Sequence, residues 1–195
     1  MHQLTRADLL SLEQYADQRE AFRTARVVEH KKTRRVALGA HVTLLFEDRL
    51  TIQYQIQEML RVERIFEPAG IEDELQTYNP LIPDGSNLKA TLLIEYEDVE
   101  ERQRALQELL GLETKVWIKI GDFDPVQPVA DEDLERENAE KTSAVHFLRF
   151  EFTPAMIAAA KKGASLVIGV DHSHYSATVD PVPEATRATL VADFD

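Results

Sequence analysis

Cysteine is absent from all 195 residues, so the chain supplies no disulfide, no thiolate nucleophile, no zinc–thiolate centre and no cysteine-ligated iron–sulfur cluster. A divalent metal, with iron, manganese and zinc as the candidates, would have to be held by His, Asp or Glu. Long apolar runs are missing as well. No stretch approaches the roughly 20 residues that cross a bilayer, and MHQLTRADLLSLEQYADQRE lacks the basic-then-apolar pattern of a secretory signal. A cytoplasmic location is the default that follows. Basic charge is outnumbered, 22 Lys and Arg against 35 Asp and Glu, and the net charge of -13 opposes nonspecific attraction to nucleic acid or anionic membranes. Also missing are a Gly-rich phosphate loop, GxSxG, HExxH and the paired ExxH of di-iron bundles, which removes the commonest motif-bearing enzyme classes.

With 44% hydrophobic residues and only 7 glycines and 8 prolines, the chain has the composition of an ordinary globular protein. Its length suits a single domain, residues 1–195, with a substantial core. No internal repeat or low-complexity segment interrupts it. The most informative stretch is Val42 to Phe66, VTLLFEDRLTIQYQIQEMLRVERIF. Val42, Leu44 and Phe46 alternate with Thr43, Leu45 and Glu47, the period of a strand with one buried face. From Leu50 the spacing of Ile52, Ile56, Met59, Leu60 and Phe66 becomes that of one helical face. Glu63 falls within about 20° of Ile52 on that projection, and a carboxylate in an apolar stripe needs a partner.

On either side of this unit the pattern predicts further elements. Ser11 and Gln14 form a capping box for a helix that runs into HKKTRR. Arg35 to Leu38 reads as a strand returning through Gly39-Ala40 into the central strand. YNPLIPDGSN reads as a rigid loop. Leu88 to Tyr96, Val116 to Ile120, Ser143 to Phe152 and Leu166 to His172 read as strands, separated by a helix capped at Asp98 and another framed by Thr153, Pro154 and Gly163. Val126 to Ala130 continues from the GDFDP turn. DEDLERENAEK reads as a solvated helix or loop, and ATLVADF as a last edge strand. Hairpin-like strands mixed with four or five helices, without a βαβ rhythm, predict an α+β fold: a mostly antiparallel sheet or partly open barrel, with the central helix packed across it and further helices flanking.

Three groups of residues could carry chemistry. In the extended DHSHY stretch His172 and His174 project to one side, and both could reach a metal ion completed by Asp171 or Glu63. Strand parity puts His146 inward with Leu148, Phe150 and Phe152, so Glu63 with His146 could form an acid–base pair or half of a metal site. The alternative for Glu63 is a structural ion pair with Arg149 or Arg35. The third group is basic: Arg19, Arg23, Arg26, Lys31, Lys32, Arg34 and Arg35 lie against only Glu20 and Glu29. It could dock an acidic partner or an anion, or neutralise the chain's own acids. Together with the Pro-Asp-Gly loop it could also form an anion or nucleotide sensor.

The segments ALGAHVTLLFEDRLTIQYQIQEMLRVERIF, YNPLIPDGSNLKATLLIEY, ADEDLERENAEKTSAVHFLRFEF and GVDH closely resemble the bacterial family catalogued as domain of unknown function 3501, over nearly the full chain. The resemblance brings no activity and no catalytic residues. It implies genomic company, because relatives are often encoded beside a rubrerythrin-like protein and an iron–sulfur oxidoreductase. The expectation is an accessory or interaction protein of such a redox system, in peroxide defence or electron transfer, with those two proteins as partners and a homo-oligomer as a further arrangement. The alternative is a metal-binding protein or metal-dependent enzyme using Glu63, His146, His172 and His174.

Overall fold

Residues 3–132, 136 and 140–195 are described by the computed structural model. The basic N-terminal segment forms one continuous helical run: α1 (Leu12–Phe22), a π-helical stretch (Arg23–Val28) and α2 (Glu29–Lys32). Ser11 and Gln14 make the expected capping box. Inside the π-helical stretch bonding widens to i→i+5, which places Val27 over Phe22 and lets both bury on one side. Next come β1 (Arg35–Leu38), β2 (Val42–Phe46), α3 (Arg49–Glu63), α4 (Pro68–Tyr78) and β3 (Asn87–Ile94). The second half holds α5 (Val99–Glu108), β4 (Val116–Ile120), β5 (Val129–Ala130), β6 (Val145–Glu151), α6 (Pro154–Lys161), β7 (Leu166–His172), β8 (Tyr175–Val179) and α7 (Glu184–Val191).

Two antiparallel sheets result, so the fold is α+β and open rather than closed into a barrel. One has the order β1-β2-β3-β6-β5 and the other β4-β7-β8. Alternation explains how they meet. Leu44, Leu92, Leu148 and Phe150 of the larger sheet share one core with Ile118, Leu166 and Ile168 of the smaller, sealed by Ala105, Ala160 and Leu190 from α5, α6 and α7. The β1–β2 turn shows how closely the sheets approach. Gly39 has φ +72, and a Cβ there would meet the Tyr175 hydroxyl at 2.5 Å. That hydroxyl donates to the Leu38 carbonyl at 2.5 Å and accepts from the His41 N–H at 3.0 Å. Glycine is therefore required twice over, by its backbone and by its neighbour.

Four details differ from the sequence reading. The face of α3 that buries Ile52, Ile56 and Leu60 packs with Leu4, Leu75 and Ile82, in a helical layer with its own apolar cluster apart from the inter-sheet core. The helix ends at Glu63, where Arg64 turns left-handed at φ 57, short of Phe66, which the apolar spacing counts on its face and which is exposed. ATLVADF belongs to a helix and its end, not to an edge strand: Val182, Thr186, Leu190 and Phe194, four residues apart, are all buried, and that is a helical period. Finally, β7 does not continue to His174, because His172 pairs with Tyr175 across a hairpin turn. Residues 133–135 and 137–139 of DEDLERENAEK, and the helix-or-loop reading of them, lie outside the described residues. No helix among the described residues is long and apolar enough to cross a membrane.

Candidate functional site: a cationic cleft on the outer face of the larger sheet

Strands have two faces, and the second face of β3 and β6 carries the polar chemistry. Leu88, Ala90 and Leu92 turn toward the core, so Lys89 and Thr91 turn away from it; likewise Phe147 and Arg149 oppose Leu148 and Phe150. The register sets Lys89 directly across from Arg149. Two cations in that relation repel one another, and carboxylates offset the repulsion. Arg149 Nε donates to Glu132 Oε2 at 2.7 Å and Nη2 to Oε1 at 2.8 Å, a bidentate fork, while Nη1 donates to Glu151. Glu132 first, and Glu151 second, hold the guanidinium protonated beyond its ordinary range. The same fork holds the Glu132 carboxyl below its usual value.

Lys89 is anchored from the loop side. Its ammonium donates to the Pro80 carbonyl at 2.5 Å and the Ile82 carbonyl at 3.0 Å, so the rigid YNPLIPDGSN loop fixes the end of this long side chain. Burial pushes the amine below its ordinary value, with Arg149 acting in the same sense and Asp84, Glu132 and Glu151 opposing.

These groups form the floor and rim of a cleft of about 690 Å³. Gln76, Thr77 and Tyr78 at the end of α4 and Pro80 and Leu81 of the loop make one wall; Lys89, Ala90, Phe147, Leu148 and Arg149 line the floor; Glu47, Glu132 and Arg136 complete the lining. Arg136 lies over the Phe147 ring, 4.5 Å from its centroid, and Glu47 accepts from the Thr51 and Thr91 hydroxyls at 2.6 and 2.7 Å. A cleft of this size is in the range that holds a small organic molecule. Its cations suit a carboxylate, and Tyr78, Leu81 and Phe147 suit an apolar body.

His146 is inward, as strand parity predicts, and fully buried. Its Nδ1 lies 2.6 Å from Asp131 Oδ2, and its Nε2 lies 2.8 Å from Thr142 Oγ1, 3.0 Å from the Ser143 carbonyl and 4.0 Å from Glu113 Oε2. Carboxylate, imidazole and hydroxyl in line have the order of a nucleophile triad. Thr142 is only 2% exposed, however, and does not line the cleft, so the line of bonds is structural. Asp131, at φ 50, also accepts from the Phe147 N–H at 2.9 Å through its other oxygen, 3.2 Å from Arg136 Nε. One buried imidazole thereby holds Asp131, the neighbour of Glu132 and the partner of Arg136, beside the cleft.

The four proposed metal ligands are not brought together. Glu63 is exposed at the last turn of α3, near enough to Glu74 to help raise that carboxyl, whose main cause is burial. It misses the interior because the cover supplied by Leu4, Leu75 and Ile82 ends at Leu60, while a helical projection assumes cover along the whole length. His172 is half-buried at the end of β7 with Nε2 3.0 Å from the Leu110 carbonyl. His174 sits exposed in the hairpin turn, its N–H donating to His172 Nδ1 at 3.2 Å. Among the described residues no group of three or more His, Asp and Glu side chains could hold a metal ion.

Much of the basic segment is spent within the molecule. Arg19 pairs with Glu58 at 2.7 Å, which also accepts from the Tyr15 hydroxyl at 2.7 Å. Arg34 is 2% exposed: its Nε donates to the Phe46 carbonyl at 3.0 Å, and its guanidinium pairs with Asp193 and, at 3.4 Å, Asp48. Burial pushes the Asp193 carboxyl up against the pull of Arg34. His30 reaches Asp48 at 2.5 Å, Lys32 pairs with Glu29 at 2.6 Å and Arg35 with Glu95 at 3.7 Å. Arg26 lies over Phe22 and Lys31 over Tyr54, while Arg23 is exposed. Arg34 cannot dock a partner, because it is part of the core.

Fold and cleft together define the class: an open, two-sheet α+β protein with a ligand-sized cationic cleft. Residues 3–194 match the family described as protein of unknown function (DUF3501), and the chain belongs to that family. It is also similar to a solved structure, the crystal structure of a novel protein of unknown function from Burkholderia pseudomallei K96243, with 54% identity, 100% of both chains covered and a TM-score of 0.91. No curated protein matches it.

Proposed function

We propose that this protein is a binding protein that holds a small organic carboxylate in the cleft between α4 and the outer face of the larger sheet. The observation that carries the reading is the Lys89–Arg149 cross-strand pair, two cations side by side on the floor of a cleft with apolar walls. Glu132 supports it, because its carboxylate already occupies the Arg149 fork at that spot. The setting in which such a ligand would act is the redox system implied by the family resemblance. There the chain would be an accessory that binds a metabolite beside a rubrerythrin-like protein and an iron–sulfur oxidoreductase.

A thermal-shift screen of aliphatic and aromatic carboxylates tests the binding. A ligand present at about 100 times its Kd stabilises by about 2.7 kcal/mol, which raises Tm by roughly 5–10 °C in a chain of this size. Arg149→Met should lose about half of that rise or more. If no carboxylate moves Tm, or if the variant responds as the wild type does, the reading fails.

A further inference from the structure

Lys89 differs from a lysine that only attracts an anion in how its nitrogen is held. Two carbonyls, of Pro80 and Ile82, take two of its N–H groups. An ammonium has a third N–H and a neutral amine has a lone pair in its place. Losing that third proton therefore breaks neither bond to the loop, and the nitrogen's uncommitted position belongs to whatever fills the cleft. Partial burial and the neighbouring Arg149 favour the neutral form, the condition under which lysines act as nucleophiles. Resting on the carboxylate-binding reading, we propose that Lys89 forms a reversible imine with the ketone carbon of a 2-oxo carboxylic acid whose carboxylate sits on Arg149.

Register selects this ligand class. Directly opposed residues on antiparallel strands have Cβ atoms about 5 Å apart, and in a 2-oxo acid the carboxylate and ketone carbons are joined by one bond. Adjacent groups on the ligand thus meet adjacent groups on the sheet, and the substituent beyond the ketone meets Tyr78, Leu81 and Phe147. In the reaction the ammonium first releases a proton to solvent. The amine lone pair forms a C–N bond as the carbonyl π pair moves to oxygen, which takes a proton from nitrogen. The carbinolamine hydroxyl then takes a proton from solvent and leaves as water while the nitrogen lone pair closes the C=N bond, and the nitrogen gives its last proton to solvent; the bonds to the Pro80 and Ile82 carbonyls are given up as their protons leave. Amine and oxo acid give imine and water, with no change of oxidation state.

The test incubates the full chain with phenylpyruvate and sodium cyanoborohydride, and in parallel with phenyllactate, which has the carboxylate but no ketone. Calorimetric binding is measured for both. The expected result is that both bind and that phenylpyruvate alone leaves one adduct, heavier by the mass of the oxo acid less one oxygen, in the peptide carrying Lys89. Lys89→Arg should abolish the adduct, and peptide mapping of the wild type decides the matter even if that variant does not fold. Binding of both compounds with no adduct, or adducts scattered over surface lysines, overturns the imine and leaves the binding reading standing. Binding of neither overturns both.

Discussion

Glu58 shows how far one acid can redirect the meaning of a basic sequence. It accepts from Arg19, Tyr15 and Arg61, and the Arg19 fork brings its carboxyl from an ordinary 4.5 down to about 2. A lowered carboxylate stabilises the folded state above its unfolded value and loses that contribution as pH falls through its folded one. Glu58→Gln should therefore cost about 1 kcal/mol near pH 7, a figure discounted for solvent screening. Denaturant titrations at several pH values should show the gap between wild type and variant narrowing below about pH 4.5 and closing near pH 2. A gap that is constant with pH would contradict the assignment. The sequence showed Arg19 as one of a basic group with few acids near it in the chain. It could not show that α3 offers Arg19 a carboxylate, because the helices meet only in three dimensions. Arg34 was less legible still: nothing in HKKTRR marks which arginine enters the core.

Among the elements, the smaller sheet has one side chain laid over a glycine. Trp117 of β4 stands opposite Gly169 of β7, and its Nε1 donates to Asp171 Oδ2 at 2.7 Å. A Cβ at position 169 would lie 2.3 Å from the indole, so Gly169→Ala must push the ring off the strand. Overpacking of this kind costs about 1–3 kcal/mol. Since the chain has a single tryptophan, its emission reports the event directly, with a shift to the red and a lower midpoint expected. An unchanged spectrum would show that the indole does not rest on Gly169. Strand identity and parity were readable by alternation, including the inward side of His146. Register was not, because β3 and β6 pair across a separation of some sixty residues, and no local pattern sets such a pairing. The Lys89–Arg149 pair escaped sequence reading for that reason, although both residues stood in strands that were recognised.

At the scale of the whole molecule, the sign of the cleft is the informative quantity. The chain carries -13 overall, yet the cleft lining holds Lys89, Arg136 and Arg149 against Glu47 and Glu132. Glu151 and Asp131 stand behind Arg149 and Arg136, but the lining itself carries one cation more than it has acids, and such a concavity in an acidic protein concentrates small anions while the wider field repels polyanions. The sequence placed the basic charge in the N-terminal segment, where it is most dense, and most of that charge turned out to be paired within the fold. The cleft's cations are single residues scattered from 89 to 149, which only the folded sheet gathers.

Calorimetric titration of phenylpyruvate into the wild type, Glu132→Ala and Arg149→Met tests the cleft most directly. The ligand must displace Glu132 from Arg149, an exposed pair worth up to about 1 kcal/mol. Removing Glu132 should thus tighten binding by up to about fivefold, while removing Arg149 should weaken it by about tenfold or more, the loss of a charge-assisted bond. The same affinity in all three proteins, or no heat in any, would contradict the account.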